Sequence, residues 1–379
     1  MRKLVSLKQI DKITPIIDSE RLELAHIGGW QCVVSKNTFE EGEVAVFFEI
    51  DSALPADDER YKFLHSKCLY TAKHNGSEVV RVVRIRTMKL RGVLSQGLLM
   101  PVTDFPEVLT NIMKINATHP EKSITDIVDT MDLTDVLNVQ NFDDIRTYVA
   151  NLKGTVKWGG ACNVFPTHLV PKTDAERIQN LPQYFDGRFE GVRFEATEKM
   201  DGTSATYIWA PTARPEEPRF MCSRNYELKL TDSDNVYAKI AEKYDIFSLL
   251  QTYCTINSIG RSKPLQLAIQ GEICGPGVNG NKDKATEHTF NVFRIYNITD
   301  KEWLSPSDRM HICNMFRIPH VKVIAECAPF SVFTNMDGLL NHAKGTTKRG
   351  NPREGVVWKS MDGNITFKAL NNDYLLMDK

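Results

Sequence analysis

Up to about Pro106 the chain alternates apolar and polar positions in short runs. Gly28-Gly29-Trp30-Gln31-Cys32-Val33-Val34, Val44-Ala45-Val46-Phe47-Phe48-Glu49-Ile50 and Val79-Val80-Arg81-Val82-Val83-Arg84-Ile85-Arg86 are β-branched or aromatic stretches bounded by Gly, Asn, Asp or Pro. A period of two in such stretches spells strands, and several short ones in series predict a small β-barrel of the OB type over residues 1–106. Between 107 and 157 the texture changes to helical spacing with an acidic bias, as in Ile124-Thr125-Asp126-Ile127-Val128-Asp129-Thr130-Met131-Asp132, which predicts a solvated helical connector. From about Trp158 longer alternations of strands and helices predict a second domain over 158–379. Within it, Pro171-Lys172-Thr173-Asp174-Ala175-Glu176-Arg177-Ile178-Gln179-Asn180 reads as a helix capped by Thr173 or Asp174. The fold class is α+β, without internal repeat or low-complexity tract.

Composition narrows this picture. A chain of 379 residues is long for one core, so two domains are expected. With 47 Lys and Arg against 48 Asp and Glu the formal charge is -1, and no global basic field points to a polyanion. Any nucleic-acid surface is therefore local. The third apolar run offers one, because it carries Arg81, Arg84 and Arg86 and continues to Lys89 and Arg91. Alternation puts Arg84 and Arg86 on one face and Arg81 on the other. Such a run is either an edge strand protected by charge or a path for phosphates. The eight cysteines are scattered, without a Cys-x-x-Cys pair or a neighbouring His cluster, which argues against zinc and for reduced thiols in an intracellular, cytoplasmic or nuclear setting. The N-terminal residues break their apolar positions with charge, so neither a signal peptide nor a membrane span is expected.

The candidate chemistry centres on Glu198-Lys199-Met200-Asp201-Gly202-Thr203. It sets an amine two residues from a carboxylate beside a glycine. An ordinary lysine, with a pKa of roughly 10.4, is protonated at neutral pH, so attack through nitrogen needs a nearby cation to displace the proton. Asp201 would hold that cation through its water shell, and Gly202 would let the backbone approach a nucleotide. Alone, Lys199-Met200-Asp201-Gly202 also suits a turn between strands.

Four later segments add to the case. Leu267-Ala268-Ile269-Gln270-Gly271-Glu272-Ile273-Cys274 ends an apolar strand on a carboxylate, ahead of Gly275-Pro276-Gly277. Thr289-Phe290-Asn291-Val292-Phe293-Arg294-Ile295-Tyr296 sends Phe290 and Phe293 to opposite faces, so that one aromatic can stack on a purine while the other enters the core. Arg353-Glu354-Gly355-Val356-Val357-Trp358-Lys359 repeats acid, glycine and strand, and Ile365-Thr366-Phe367-Lys368 brings a last lysine. In an ideal strand Glu354, Val356 and Trp358 share one face and Val357 and Lys359 the other. Glu354 and Lys359 can serve one site only if Glu354 lies where the chain turns into the strand.

In this order the series resembles the covalent nucleotidyltransferase superfamily of ATP-dependent DNA and RNA ligases and GTP-dependent mRNA capping enzymes. Glu198-Lys199-Met200-Asp201-Gly202-Thr203, Ser223-Arg224-Asn225, Gln270-Gly271-Glu272, Val292-Phe293 and Glu354-Gly355-Val356-Val357 are similar to the RNA ligase branch. The N-terminal OB-like module and the segment 172–180 are similar to its fifth family. The resemblance implies an ATP-grasp-like nucleotidyltransferase (ligase) domain of antiparallel sheets and helices over 158–379, with the nucleotide in the cleft between them. It implies that Lys199 takes AMP as a lysyl phosphoramidate, that Asp201 and Glu354 hold waters of a Mg²⁺ or Mn²⁺ ion, and that Glu272 binds the ribose. Phe293 and Val357 would sandwich adenine, and the backbone around Glu198 would read its edge. Arg224 would approach the ribose and the RNA end, Lys359 and Lys368 would neutralise the α-phosphate, and Arg177 would meet the leaving pyrophosphate. The implied partner is RNA or an RNA/DNA duplex with 5′-phosphate and 3′-OH ends.

Two positions depart from the superfamily pattern. Thr366 stands where a lysine often precedes Lys368, which makes Lys359 a substitute for it, and Arg294 stands where relatives often carry aspartate. The chain runs only a short way past Lys368, so no C-terminal OB domain is expected, which weighs against a DNA ligase or a capping enzyme. The competing readings are a GTP-dependent capping guanylyltransferase and a nucleic-acid-binding protein with an inactive transferase domain.

Overall fold

The computed structural model describes residues 3–74, 77–121, 131–152 and 160–377. The chain divides into two compact units, Met1–Val156 and Lys157–Lys379.

In the first unit, the strand Val44–Phe48 pairs antiparallel with Val5–Gln9 on one side and Leu98–Pro101 on the other. It is apolar at every position and buries both faces. Val46 and Phe48 enter one core with Leu54, Tyr61 and Phe105, while Ala45 and Phe47 enter a second with Trp30, Cys32 and Val34. Leu22–Ile27 and Trp30–Ser35 form a hairpin whose two turn residues, Gly28 and Gly29, have φ of 49° and 81°. Left-handed backbone at both positions suits glycine and matches the twist of the strands.

The segment expected as a solvated connector belongs to this unit. Val108, in the helix Pro106–Thr118, and Leu133, Leu137 and Val139 beyond it are buried in the core that holds Phe48. The Leu133 amide donates to the Val5 carbonyl at 2.9 Å. Val108, Leu133, Leu137 and Val139 thus cover the barrel core instead of facing water, while Met113 stays exposed on the outer side of its helix. Most of the run Ile124–Asp132 lies outside the described residues, as does Trp158.

The second unit holds two sheets. One has seven strands, in the order Ala161–Val164, Tyr226–Leu228, Arg219–Ser223, Thr203–Trp209, Leu267–Cys274, Thr289–Asn297, Glu302–Trp303. The other has five, in the order Glu176–Arg177, Thr366–Leu370, Gly355–Ser360, Phe194–Glu198, Val323–Cys327. The helices Val236–Lys243 and Ile246–Ile256 close one face of the large sheet, burying Ile240, Leu250 and Cys254 against Tyr207, Ile269 and Phe290. The small sheet buries Phe194, Ala196, Val356, Trp358, Phe367 and Ala369 against Leu339 and Ala343.

The helix expected over 171–180 does not form. Glu176–Arg177 is a short strand, parallel to Phe367–Lys368, and Ile178–Asn180 is a single 3₁₀ turn. Pairing to the sheet edge and full burial of Ile178 outweigh the local capping signal.

Candidate active site

Strand alternation builds the cleft. In the small sheet Ala196, Val356, Trp358, Phe367 and Ala369 point into the core, so Thr197, Val357, Lys359, Thr366 and Lys368 point the other way. They meet Ser204, Thr206, Gln270 and Glu272 from the large sheet across a cavity of about 560 Å³. Glu198, Lys199, Met200 and Gly202 also line it.

Phe293 reaches this cavity through an irregularity. Gln270 pairs with Arg294 but Gly271 pairs with Val292, which leaves Phe293 as an extra residue on its strand. Such a bulge re-aims side chains. Phe290 and Val292 enter the core, and past the bulge Ile295 does so too, while the successive residues Phe293 and Arg294 both face the cavity. Phe293 and Val357 come from opposite sheets, as two walls of a slot for a planar base would.

Lys199 comes directly after the strand Phe194–Glu198. Its amide donates to the Gly355 carbonyl at 3.0 Å, and its Nζ lies 2.6 Å from Glu354 Oε1. Glu354 stands one residue before the strand Gly355–Ser360, where the chain turns, so it meets Lys199 while Val357 and Lys359 keep the cleft face. Gly355 permits that turn, because a Cβ there would strike the Ala369 carbonyl oxygen. Gly202 is likewise demanded by its neighbour, the Ile273 carbonyl, which a Cβ would overlap.

The acids and bases of the cleft are displaced from their ordinary behaviour. Burial pushes the Glu272 carboxyl up to about 7, with Lys199 opposing and the Glu354 and Asp201 charges adding to the rise. Glu354 is raised in the same way, by burial, against the pull of Lys199. Burial lowers Lys368 to about 8, helped by the charges of Lys199 and Arg177. Glu198 is raised by burial, with its amide donating to the Lys322 carbonyl at 2.9 Å.

Asp201 accepts from Asn279 Nδ2 on Oδ1 and from the Tyr374 hydroxyl on Oδ2. Arg224, at the cavity wall, pairs with Asp174 at 2.9 Å, both side chains well exposed. Arg177 sits beside Lys368 through the parallel pairing of their strands and does not line the cavity. Lys359 is buried, and its Nζ donates to the Phe293 carbonyl at 3.0 Å. Burial and the neighbouring Arg309 depress its pKa strongly. Arg309 is itself held by a buried two-pronged pair with Glu195, at 2.7 Å on each oxygen.

The two departures from the superfamily pattern touch each other. Arg294 Nη2 donates to Thr366 Oγ1 at 2.5 Å and to the Gly363 carbonyl at 2.9 Å, and the guanidinium lies 4.4 Å from the centre of the Trp303 ring. Burial lowers its pKa to about 10, so it keeps its charge at neutral pH. An arginine at 294 would oppose a lysine at 366, and threonine there accepts a hydrogen bond instead.

In the first unit the basic run serves mixed ends. The strand ends at Arg84, so Arg86 lies beyond it instead of sharing a strand face with Arg84. Arg84 pairs with Asp51 at 2.7 Å and lies over the Phe142 ring at 4.1 Å. Arg86 donates to the Lys67 carbonyl at 3.0 Å. Arg81 and Lys89 are exposed, and Arg91 is exposed in a left-handed turn with φ of 49°.

The carboxylates suit a hydrated divalent cation. Glu354 Oε2 is buried with no hydrogen-bond partner, and the raised acids are groups that an added positive charge would relieve. No group of three or more His, Cys, Asp or Glu among the described residues is set to grip a metal directly. Sequence reasoning missed Asn279 and Tyr374. Asn279 carried a faint signal, as a left-handed residue in the turn after Gly275-Pro276-Gly277, and Tyr374 carried none.

Comparison with known proteins places this geometry. An OB-fold domain model matches residues 4–102, and an RNA ligase model matches residues 192–371. A mutant of Naegleria gruberi RNA ligase solved with AMP and Mn superposes with a TM-score of 0.71 at 31% identity, covering 99% of this chain and 98% of that one. Another mutant of that ligase, with ATP and Mn, gives 0.70 at 30% identity, covering 99% and 98%. The same ligase with PPi gives 0.69 at 30% identity, again covering 99% and 98%. No curated protein matches the chain. No described helix is long and apolar enough to cross a membrane. An OB-fold domain followed by a ligase domain whose cleft joins Lys199, Glu272 and Lys368, with Glu354 paired to Lys199, together with a full-length match above 30% identity, shows that this chain belongs to the RNA ligase family.

Proposed function

We propose that the protein is an ATP-dependent RNA ligase that joins 3′-OH and 5′-phosphate ends through a lysyl-AMP intermediate on Lys199. The observation that carries this reading is Lys199 Nζ, 2.6 Å from Glu354 in a cleft it shares with Lys368, Glu272 and the facing pair Phe293 and Val357. Separate structures of the solved relative hold AMP with Mn, ATP with Mn, and PPi. ATP and PPi are the reactant and the leaving product of the first step, and AMP is the group it transfers.

In that step Lys199 Nζ gives up a proton to solvent water and attacks the α-phosphorus of ATP. The N–P bond forms as the bond to the pyrophosphate oxygen breaks. A Mg²⁺ or Mn²⁺ ion held through its waters by Asp201 and Glu354 supplies positive charge beside the amine and the phosphate. Lys368 neutralises the α-phosphate, and Arg177, paired beside it and outside the cavity lining, would add positive charge toward the pyrophosphate. Lys359 acts from behind, fixing the bulge that presents Phe293 to adenine. Glu272 accepts from the ribose hydroxyls, Glu198 and its backbone read the base edge, and Arg224 meets the RNA end. A 5′-phosphate oxygen of RNA then displaces Lys199 from AMP, and a 3′-hydroxyl displaces AMP to close the phosphodiester. Such transfers rest on positioning and charge neutralisation, which a site of lysines and carboxylates supplies.

The test is sealing of a nicked duplex with an RNA 3′-OH strand and a 5′-phosphate, supplied with either ATP or GTP. Sealing with ATP alone supports the ligase. Covalent labelling by GTP without sealing points to capping, and neither reaction points to an inactive transferase domain.

A further inference from the structure

The loop between the strands Leu267–Cys274 and Thr289–Asn297 ties three parts of the ligase unit together. Its Asn279 donates to Asp201 Oδ1. Its Lys282 donates to the Tyr374 carbonyl at 3.3 Å and the Met377 carbonyl at 3.1 Å, and its Nζ lies 4.5 Å from the centre of the Tyr374 ring. Its Asp283 accepts from Thr347 at 2.6 Å and from Arg349 at 2.7 Å, in the segment that leads into Glu354. Tyr374, buried in the short helix Asn372–Leu376, returns its hydroxyl to Asp201 Oδ2.

We propose that Asn279 and Tyr374 form a two-pronged clamp that aims the Asp201 carboxylate at the divalent cation of the adenylation step, with Lys282 holding the Tyr374 prong in place. Both are positioning residues, and the inference rests on the ligase reading above. Each carboxylate oxygen has two acceptor directions. A donor on each leaves one direction per oxygen, and the carboxylate can no longer rotate about its last bond. A ligand with that freedom removed loses less entropy on binding a hydrated ion. The clamp also fits the exposure of its parts. Asp201 is half-buried between the cavity-lining Met200 and Gly202, where a lone aspartate would sample several rotamers, and Tyr374 is only 6% exposed, so its hydroxyl needs the partner that Asp201 supplies. Asn279 has φ of 45°, a left-handed backbone that asparagine tolerates, and reaches Asp201 from an exposed turn.

Two variants isolate the prongs with little risk to the fold. Tyr374→Phe removes one oxygen and keeps the ring against Lys282, and Asn279→Gly removes the donor at a backbone conformation that glycine accepts. Mn²⁺ is titrated into the full chain with AMP present, read by the electron paramagnetic resonance signal of the free ion. In parallel, lysyl-AMP formation is followed as a function of Mn²⁺ at fixed ATP. Each variant is expected to need about 3- to 10-fold more Mn²⁺ in both readouts, with kcat at saturating Mn²⁺ falling far less, because aim is lost and not charge. Asp201→Asn added to Tyr374→Phe is expected to cost less than the two effects multiplied, since both act through one carboxylate. Wild-type Mn²⁺ binding and Mn²⁺ dependence in both variants, in a protein whose wild type forms lysyl-AMP, would overturn the clamp. A wild-type chain that forms no lysyl-AMP overturns the ligase reading instead, and the clamp with it.

Discussion

The two units of this protein put their basic residues to opposite uses. In the ligase unit Lys359, Lys368 and Arg294 sit behind or along the cleft, where burial depresses their pKa values, and the hydrogen bonds of Lys359 and Arg294 go to neutral oxygens. In the N-terminal unit Arg81, Arg86, Lys89 and Arg91 stand exposed along and beyond one strand. A buried cation without a carboxylate on it acts strongly on whatever anion enters beside it. An exposed one contributes a field that salt screens within about 10 Å. On the proposed function, the reaction with ATP would draw on the first kind and any grip on RNA on the second.

Removing charge from the carboxylates that face the buried set should have a large effect. Glu354→Gln and Asp201→Asn are expected to slow lysyl-AMP formation by at least about 10-fold, with the thermal midpoint close to that of the wild type. Equal loss of activity and stability would mean that these acids hold the fold together instead of the reactants.

The pH dependence sharpens the same point. Glu272 takes up a proton as pH falls through about 7, and Lys368 loses its charge as pH rises through about 8. The rate of lysyl-AMP formation should therefore rise from pH 6 to a maximum between these values and decline on the alkaline side. Lys368→Arg keeps its charge throughout and should move the alkaline limb upward, even if the maximal rate drops. An alkaline limb unchanged in that variant would assign it to another group.

Charge reversal at Arg81, Arg86, Lys89 and Arg91 tests the exposed set. It should leave lysyl-AMP formation intact and weaken nick sealing several-fold at low salt, with a shallower dependence of the residual sealing on salt. Parallel loss of both steps would make the N-terminal unit a support for the ligase unit. Within this run Arg84 should behave differently, because it is already engaged by Asp51 and Phe142. Arg84→Ala is expected to cost about 1 kcal/mol of stability and to leave sealing per folded molecule unchanged, as read by chemical denaturation beside a sealing assay.

How much of this could be read from the sequence varied with the physics involved. Period-two patterns brought out the barrel strands and the split between Val356 and Trp358 on one face and Val357 and Lys359 on the other, because alternation is a local property of the backbone. The position of Glu354 at the strand entrance was legible for the same reason. The bulge at Phe293 was not, since it depends on the register of a partner strand, and it decides that Phe293 and Arg294 face the cleft together. The helix expected over 171–180 gave way to pairing with Phe367–Lys368, a contact made across nearly two hundred residues. Asn279 was barely legible and Tyr374 not at all for the same reason, as their partner Asp201 is far from both in sequence.

The central claim is that Lys199 carries the nucleotide. The most direct measurement is to incubate the full chain with α-labelled ATP and Mn²⁺, digest it, and locate the labelled peptide. The account predicts AMP on Lys199, lost completely in Lys199→Ala and also in Lys199→Arg, whose guanidinium stays protonated and cannot attack phosphorus. Label on a different residue, or label that persists in Lys199→Ala, would contradict it.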